Sequence, residues 1–127
     1  MTKTAVLALG GNAIIKAGEE GSISQQFANT RDSLGGIVEL IRQGYKLAIT
    51  HGNGPQVGNL LRQQEAGEKE GIAPLPLGVL NAATEGSMGY MIEQSLQNKL
   101  HLSGIDKDVI TIISQVVVDR DDPSMLN

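Results

Sequence analysis

At 127 residues the chain suits one compact domain with a core of its own, and its 40% apolar content is almost wholly aliphatic, with two Tyr, one Phe and no Trp. An aliphatic core with 16 glycines points to an α/β domain rather than an aromatic-rich sandwich. A net charge of −4 without any Lys/Arg cluster removes the electrostatic footprint of a nucleic-acid binder, and the absence of Cys removes disulfides and thiolate metal sites. No apolar run approaches the ~20 residues of a membrane span. Met1-Thr2-Lys3-Thr4 enters a strand without a signal-peptide layout, so the expected setting is soluble and cytoplasmic, with no membrane and no nucleic acid.

In chain order, Ala5-Val6-Leu7-Ala8-Leu9 is a continuous apolar run, as expected of a central strand covered on both faces, and Gly10-Gly11 stops it abruptly. Residues 16–22 form a polar loop, and Ser22 with Gln25 resembles a capping box. Phe27, Thr30, Leu34, Ile37, Val38 and Ile41 recur at helical spacing, and Gly44 closes that helix. Gly35-Gly36 inside it is an anomaly, since each costs up to ~1 kcal/mol relative to Ala, and close packing on the sheet is a reason to keep them. Lys46 to Thr50 reads as the second strand. Asn53 is placed to cap the next helix, with Pro55 near its first position and Gln56 three residues past the cap, and that helix is expected to run to about Glu65. Residues 66–76 form a charged loop ending in a Pro-x-Pro brake.

A long helix is expected from about Leu80 to Leu102, with an apolar stripe of Met88, Met91, Ile92, Leu96 and Leu100. Gly86 and Gly89 on it leave room for something to approach closely, and Gly104 ends it. Val109 to Ile113 and Gln115 to Val118 read as a β-rich run, one long strand. Asp119 to Asn127 is polar and turn-like, and Asp119, Asp121 and Asp122 fit a solvated turn better than a metal cluster. The alternation gives an α/β fold, a three-layer αβα sandwich with a mostly parallel sheet, over one domain spanning residues 1–127. Ligands on such sheets bind at the C-terminal ends of the strands, where both glycine turns fall.

The stretch Thr50-His51-Gly52-Asn53-Gly54-Pro55-Gln56-Val57-Gly58 carries the chemistry. A strand feeding a glycine-rich turn that opens a helix presents backbone N–H groups and a helix N-terminus to an anion. Gly52 to Gly58 has the form G-x-G-x-x-x-G, but a dinucleotide site needs an acidic residue at the end of the next strand, about 20 residues on, and that strand begins only near Val109. No G-x-x-x-x-G-K-[ST] is present. The better reading is a phosphoryl-transfer site built from two facing turns, because that chemistry asks mainly for positioning and stabilisation of equatorial oxygens. Backbone N–H groups of Gly10, Gly11, Gly52 and Gly54 could supply this, with Asn12 and Asn53 as neutral side-chain donors and acceptors. Two ordinary tight turns with helix caps are the plain alternative, which a pair on successive strands disfavours.

Ala8-Leu9-Gly10-Gly11-Asn12-Ala13 together with His51-Gly52-Asn53-Gly54-Pro55-Gln56-Val57-Gly58 resembles the amino-acid kinase superfamily, and within it the carbamate kinases. Pro76-Leu77, Gly86-x-x-Gly89-Tyr90, Gln115 to Asp119 and Asp122-Pro123 follow in the same order, so the likeness spans the whole chain. It implies reversible phosphoryl transfer between ATP and carbamate (carbamoyl phosphate and ADP giving ATP and carbamate), with Mg²⁺ on the nucleotide. It implies that Gly10, Gly11, Asn12, Gly52, Asn53 and Gly54 hold carbamate and the moving phosphoryl group. It also implies a homodimer, to which the long helix with Met88, Met91 and Leu96 is a candidate contributor, with ordinary core packing as the competing use of that stripe.

The departures from the pattern matter too. Many amino-acid kinases carry a lysine two residues before the Gly-Gly pair, where this chain has Ala8. Carbamate kinases share that absence and use a lysine from a later Asn-Pro-Thr-Lys segment, about where this chain stops at Asn127. The catalytic lysine and the nucleotide-binding half are therefore expected beyond the C-terminus, and this chain alone is expected to show no appreciable kinase activity. None of its six lysines has a motif reason to substitute, Lys16 included. Gly78 stands where the family usually has Asp, and Glu85 where it usually has Gln, which adds negative charge near an anion site. Carbamate is already a nucleophilic anion and needs no base, so His51 is expected to be structural, and His101 to lie on the surface. Two other readings remain: a non-catalytic anion-binding or assembly module from a truncated gene, and another small-acceptor kinase of the same superfamily.

Overall fold

The structure, a computed structural model, describes residues 3–125, without the side chains of Asn12 and Met125. Met1 and Thr2, expected to lead into the first strand, and Leu126 and Asn127 of the expected polar tail lie outside the described residues. The elements are β1 (Lys3–Leu9), a 3-10 turn (Gly11–Ala13), α1 (Ile23–Ser33), α2 (Gly35–Arg42), β2 (Tyr45–His51), α3 (Gly54–Lys69), α4 (Leu77–Leu102) and a second 3-10 turn (Pro123–Met125). β1 and β2 pair in parallel, in step from Lys3 opposite Tyr45 to Leu9 opposite His51. A parallel pair needs a crossover, and α1 and α2 provide it. The α/β class and the parallel sheet are as the sequence predicts.

The covering of the sheet is different. Leu34, Ile37 and Val38 pack with Leu96 and Leu100 against Leu7, Leu9, Leu47 and Ile49. Ile14, Met88, Met91 and Ile92 form a second cluster against Leu9, Ile49 and Phe27. These helical residues all meet the same alternate positions of the two strands, so β1 and β2 show a two-residue burial alternation and Val6, on the other face, is 69% exposed. Among the described residues, the expectation that Ala5 to Leu9 is covered on both faces therefore does not hold.

The helix termini follow the local rules. Ser22 and Gln25 form the expected capping box: Gln25 N–H donates to Ser22 Oγ at 3.4 Å and Ser22 N–H donates to Gln25 Oε1 at 3.0 Å. Gly104, at φ +68°, follows α4, with Ile105 N–H bonded to Leu100 O and Gly104 N–H to His101 O, the paired bonds of a Schellman motif. Gly71 does the same for α3, with Ile72 N–H on Gly67 O and Gly71 N–H on Glu68 O, so that helix ends at Lys69 rather than Glu65.

Two expectations change at the helices. The single helix expected up to Gly44 is broken at the fully buried Leu34, whose N–H bonds back only to Arg31 O. Gly35 and Gly36 open α2 on the solvent side, and a Cβ on either would meet nothing within 4 Å, so close packing does not explain them. Their low helix propensity falls where the chain turns from one helix into the next. The stripe on α4 is core: Met88, Met91, Ile92, Leu96 and Leu100 are all buried within the chain, and Met88, Met91 and Leu96 are thereby unavailable to a partner.

Residues 109–118 form no strand. Their first part lies along α4: Gln97 donates to Lys107 O and accepts from Val109 N–H, both at 2.8 Å, and Ser114 N–H donates to Glu85 Oε2 at 2.8 Å. Thr111 sits so close over Gly89 that a Cβ there would collide with it, and Ile113 reaches Gly86. The two glycines do admit a close neighbour, as their positions suggested. An open, largely apolar cleft of about 710 Å³ separates the Lys107–Ile112 stretch from β2, so the β-branched residues have no ladder partner among the described residues, and Val117 is 98% exposed.

Candidate functional site

Because β1 and β2 run in step, Gly10 and Gly52 leave the sheet side by side, about 5 Å apart by ordinary strand spacing. The structure thus brings the two predicted turns together at one end of the sheet. Gly10 is extended, at φ −70° and ψ 163°, and a short 3-10 turn follows, closed by Ala13 N–H on Gly10 O at 2.9 Å and Ile14 N–H on Gly11 O at 3.1 Å. Of Asn12 the structure places the backbone in this turn, and its side chain is outside the described atoms. The second turn, Gly52-Asn53-Gly54, leads into the full length of α3, whose first intrahelical bond is Val57 N–H to Asn53 O at 2.9 Å. A Cβ built at Gly10, Gly11, Gly52 or Gly54 meets nothing within 4 Å, so a ligand can come up against the backbone at each.

Asn53 occupies the N-cap position of α3 but does not cap it. Its carboxamide turns instead to α4, donating to Asn81 Oδ1 at 2.6 Å and to Thr84 Oγ1 at 2.7 Å. Gln56, expected to complete a capping box, donates to Gln26 Oε1 at 3.3 Å. The N–H groups of Gly54 and Gln56 in the first turn of α3 consequently have no intrahelical acceptor, and the positive end of the helix dipole faces the mouth of the two turns. Pro55, with no N–H to satisfy, fits this position without loss.

Beside the second turn lies a recess of about 260 Å³, lined by Ile49, Thr50, His51, Asn53, Asn81, Glu85, Ile112 and Ser114. Gly10 and Gly11 do not line it. The residues that do include no Lys or Arg. Glu85 accepts from Ser114 N–H at 2.8 Å through Oε2 and from Asn81 Nδ2 at 3.2 Å through Oε1, so its charge is engaged with neutral donors. His51 is half-buried, with Nδ1 3.2 Å from Gly52 O. Lys16, the lysine nearest the first turn in sequence, pairs with Asp32 at 3.7 Å in an exposed setting.

Asn81 and Thr84 escape the sequence reading. Together with Glu85 they fall three and four residues apart near the start of α4, which puts all three on one helical face. That polar spacing at the head of an otherwise apolar helix is the signal that could have found them.

Residues 3–120 match the amino acid kinase family. This chain belongs to the amino acid kinase family. Within that family it is 46% identical over 128 residues to the carbamate kinase of Pyrococcus furiosus, covering 100% of this chain and 41% of the relative. Against carbamate kinase 1 of Enterococcus faecium it is 45% identical over 127 residues, with 100% and 40% coverage. Among solved structures, Giardia carbamate kinase superposes with a TM-score of 0.92 at 36% identity, covering 100% of this chain and 42% of that one. The Giardia lamblia carbamate kinase bound to AMP-PNP gives 0.91 at 36% identity, covering 98% and 44%. The chain thus spans about two-fifths of the length of the curated relatives it matches. Among its described residues no helix is long and apolar enough to cross a membrane.

Proposed function

We propose that this chain is the acceptor-side portion of a carbamate kinase, serving reversible phosphoryl transfer between carbamoyl phosphate and ADP on one side and carbamate and ATP on the other. The observation that carries this reading is the pairing of two open glycine turns at adjacent strand ends, one of them feeding an uncapped helix N-terminus. A phosphoryl group in transit spreads charge over its equatorial oxygens, and fixed backbone donors stabilise that charge without reorganising. Gly10, Gly11, Gly52 and Gly54 would supply N–H groups, and Asn12 and Asn53 the polar contacts to carbamate. Carbamate's own anionic oxygen attacks phosphorus, so no general base is needed.

ATP/ADP with Mg²⁺ belong to the same proposal, and the described residues offer the ion no ready cluster of ligands. Among the described residues no three His, Cys, Asp or Glu side chains are grouped to hold a metal, so the ion would come with the nucleotide. We place the reaction in the cytoplasm and in a homodimer, for which the exposed side of α4 carrying Val79 and Tyr90 is available. Binding without transfer is the expected behaviour of this chain alone.

The test is calorimetric. The chain is expected to bind carbamoyl phosphate and inorganic phosphate, and Gly52→Val to weaken both by at least ~tenfold, equivalent to about 1.4 kcal/mol, while the melting temperature stays put. No heat with either anion would overturn the proposal. A coupled assay of ATP formation from carbamoyl phosphate and ADP is expected to give no appreciable turnover.

A further inference from the structure

The hydrogen bonds around Asn53 have only one consistent polarity. Thr84 Oγ1 lies 2.6 Å from Asn81 O, an acceptor, so the single hydroxyl hydrogen goes there. Thr84 Oγ1 can then only accept from Asn53, which identifies the Asn53 atom 2.7 Å away as Nδ2 rather than Oδ1. The same direction is imposed from the other side. Ser114 N–H donates to Glu85 Oε2, and Glu85 Oε1, acceptor-only as a carboxylate, takes Asn81 Nδ2 at 3.2 Å. That leaves Asn81 Oδ1 to accept the second hydrogen of Asn53 Nδ2 at 2.6 Å. Thr84 is fully buried, so water does not compete for its end of the relay.

Both hydrogens of the Asn53 carboxamide are therefore held on α4. Its remaining hydrogen-bonding atom is Oδ1, which has no partner among the described residues, in a side chain that lines the recess beside the anion cradle. We infer that Thr84, Asn81 and Glu85 are positioning residues that lock Asn53 with its carbonyl oxygen toward the ligand, so that the site reads an N–H donor next to an anionic group. The chemistry selected is a carbamoyl amino group, and an isostere with a methyl in that place lacks the hydrogen Asn53 Oδ1 needs. A carboxamide free to flip could offer N–H to a ligand oxygen instead, and the relay forbids that. Glu85 sets the direction because a carboxylate cannot donate, whereas a glutamine in its place could face either way.

This inference rests on the proposed carbamoyl phosphate reading, and two measurements separate their failures. The first needs no ligand. In the NMR spectrum of the chain, both side-chain amide hydrogens of Asn53 are expected to exchange with solvent at least ~tenfold slower than those of an exposed asparagine. Thr84→Val should release one of them, Thr84→Ser should keep both, and Asn81→Leu, at an exposed position, should release the other. Free exchange of both in the native chain overturns the relay.

The second is the affinity ratio between carbamoyl phosphate and acetyl phosphate. It is expected at ~tenfold or more for the native chain, to fall toward unity in Thr84→Val and Asn81→Leu, and to recover in Thr84→Ser. A ratio unchanged by Thr84→Val overturns the specificity role even if both anions bind. Slow Asn53 exchange without any anion binding, inorganic phosphate included, supports the relay as structure and overturns the functional reading with the specificity built on it.

Discussion

The two halves of α4 do different work with different materials. Its first turns present Asn81, Thr84 and Glu85, which hold Asn53 and Ser114 through directed hydrogen bonds. Its later turns present Met88, Met91, Ile92, Leu96 and Leu100, which are buried against the sheet and the α1–α2 pair. Apolar packing fixes where the helix lies but is indifferent to the orientation of a carboxamide. Hydrogen-bond polarity sets that orientation but contributes only about 0.5–1.5 kcal/mol per bond. Stability and site geometry on this helix should therefore be separable by mutation.

The largest effect is expected in the apolar half. Leu96→Ala, at a buried position touching both α2 and the strands, should lower unfolding free energy by about 2–5 kcal/mol, read by urea denaturation. Any protein still folded should keep the native preference for carbamoyl over acetyl phosphate, and a lost preference would break the division just drawn. Next comes Gly89→Ala, where the added methyl meets Thr111 and should cost about 1–3 kcal/mol despite the better helix propensity. A double-mutant cycle with Thr111→Gly should recover part of that loss, and additivity would show that the contact is not the cause.

Gly36→Ala is a smaller change of opposite sign. With nothing near its Cβ, it should stabilise α2 by about 0.5–1 kcal/mol in the same denaturation experiment. The smallest concerns Glu39, whose carboxyl is held below the usual carboxylate range chiefly by the Gln43 side-chain hydrogen bond, with Arg42 assisting and desolvation opposing. A lowered folded pKa means this contribution is present above the unfolded value and is lost as pH falls through the folded one. It is slight because the pair is solvent-exposed and water screens it. Gln43→Ala should move the Glu39 titration upward by NMR without disturbing α4.

Much of the fold was legible because its signals are local. The capping box at Ser22, the terminators Gly44 and Gly104, and the room at Gly86 and Gly89 all follow from residue types at fixed offsets. The meeting of the two glycine turns was legible in the same way, since each turn is contiguous in sequence and the parallel register brings them together. Features that depend on distant partners were not. Asn53 has the residue type and place of a cap, and only two groups on a helix 28 and 31 residues away draw it off. Val109 to Val118 carries strong strand propensity, yet it has no ladder partner among the described residues and its backbone is tied to Gln97 and Glu85. Gly71 stops α3 by the same left-handed turn that Gly104 makes after α4.

The uncapped start of α3 has a thermodynamic side. A residue well suited to capping has been diverted from it, which forgoes about 1 kcal/mol of helix stability at that terminus. The first turn around Gly54 is then the end of α3 that frays most readily, and it belongs to the site proposed for the anion. An occupant that supplies the missing acceptor would restore what the asparagine withholds. Ligand affinity and the local order of this turn thereby become two readings of a single equilibrium.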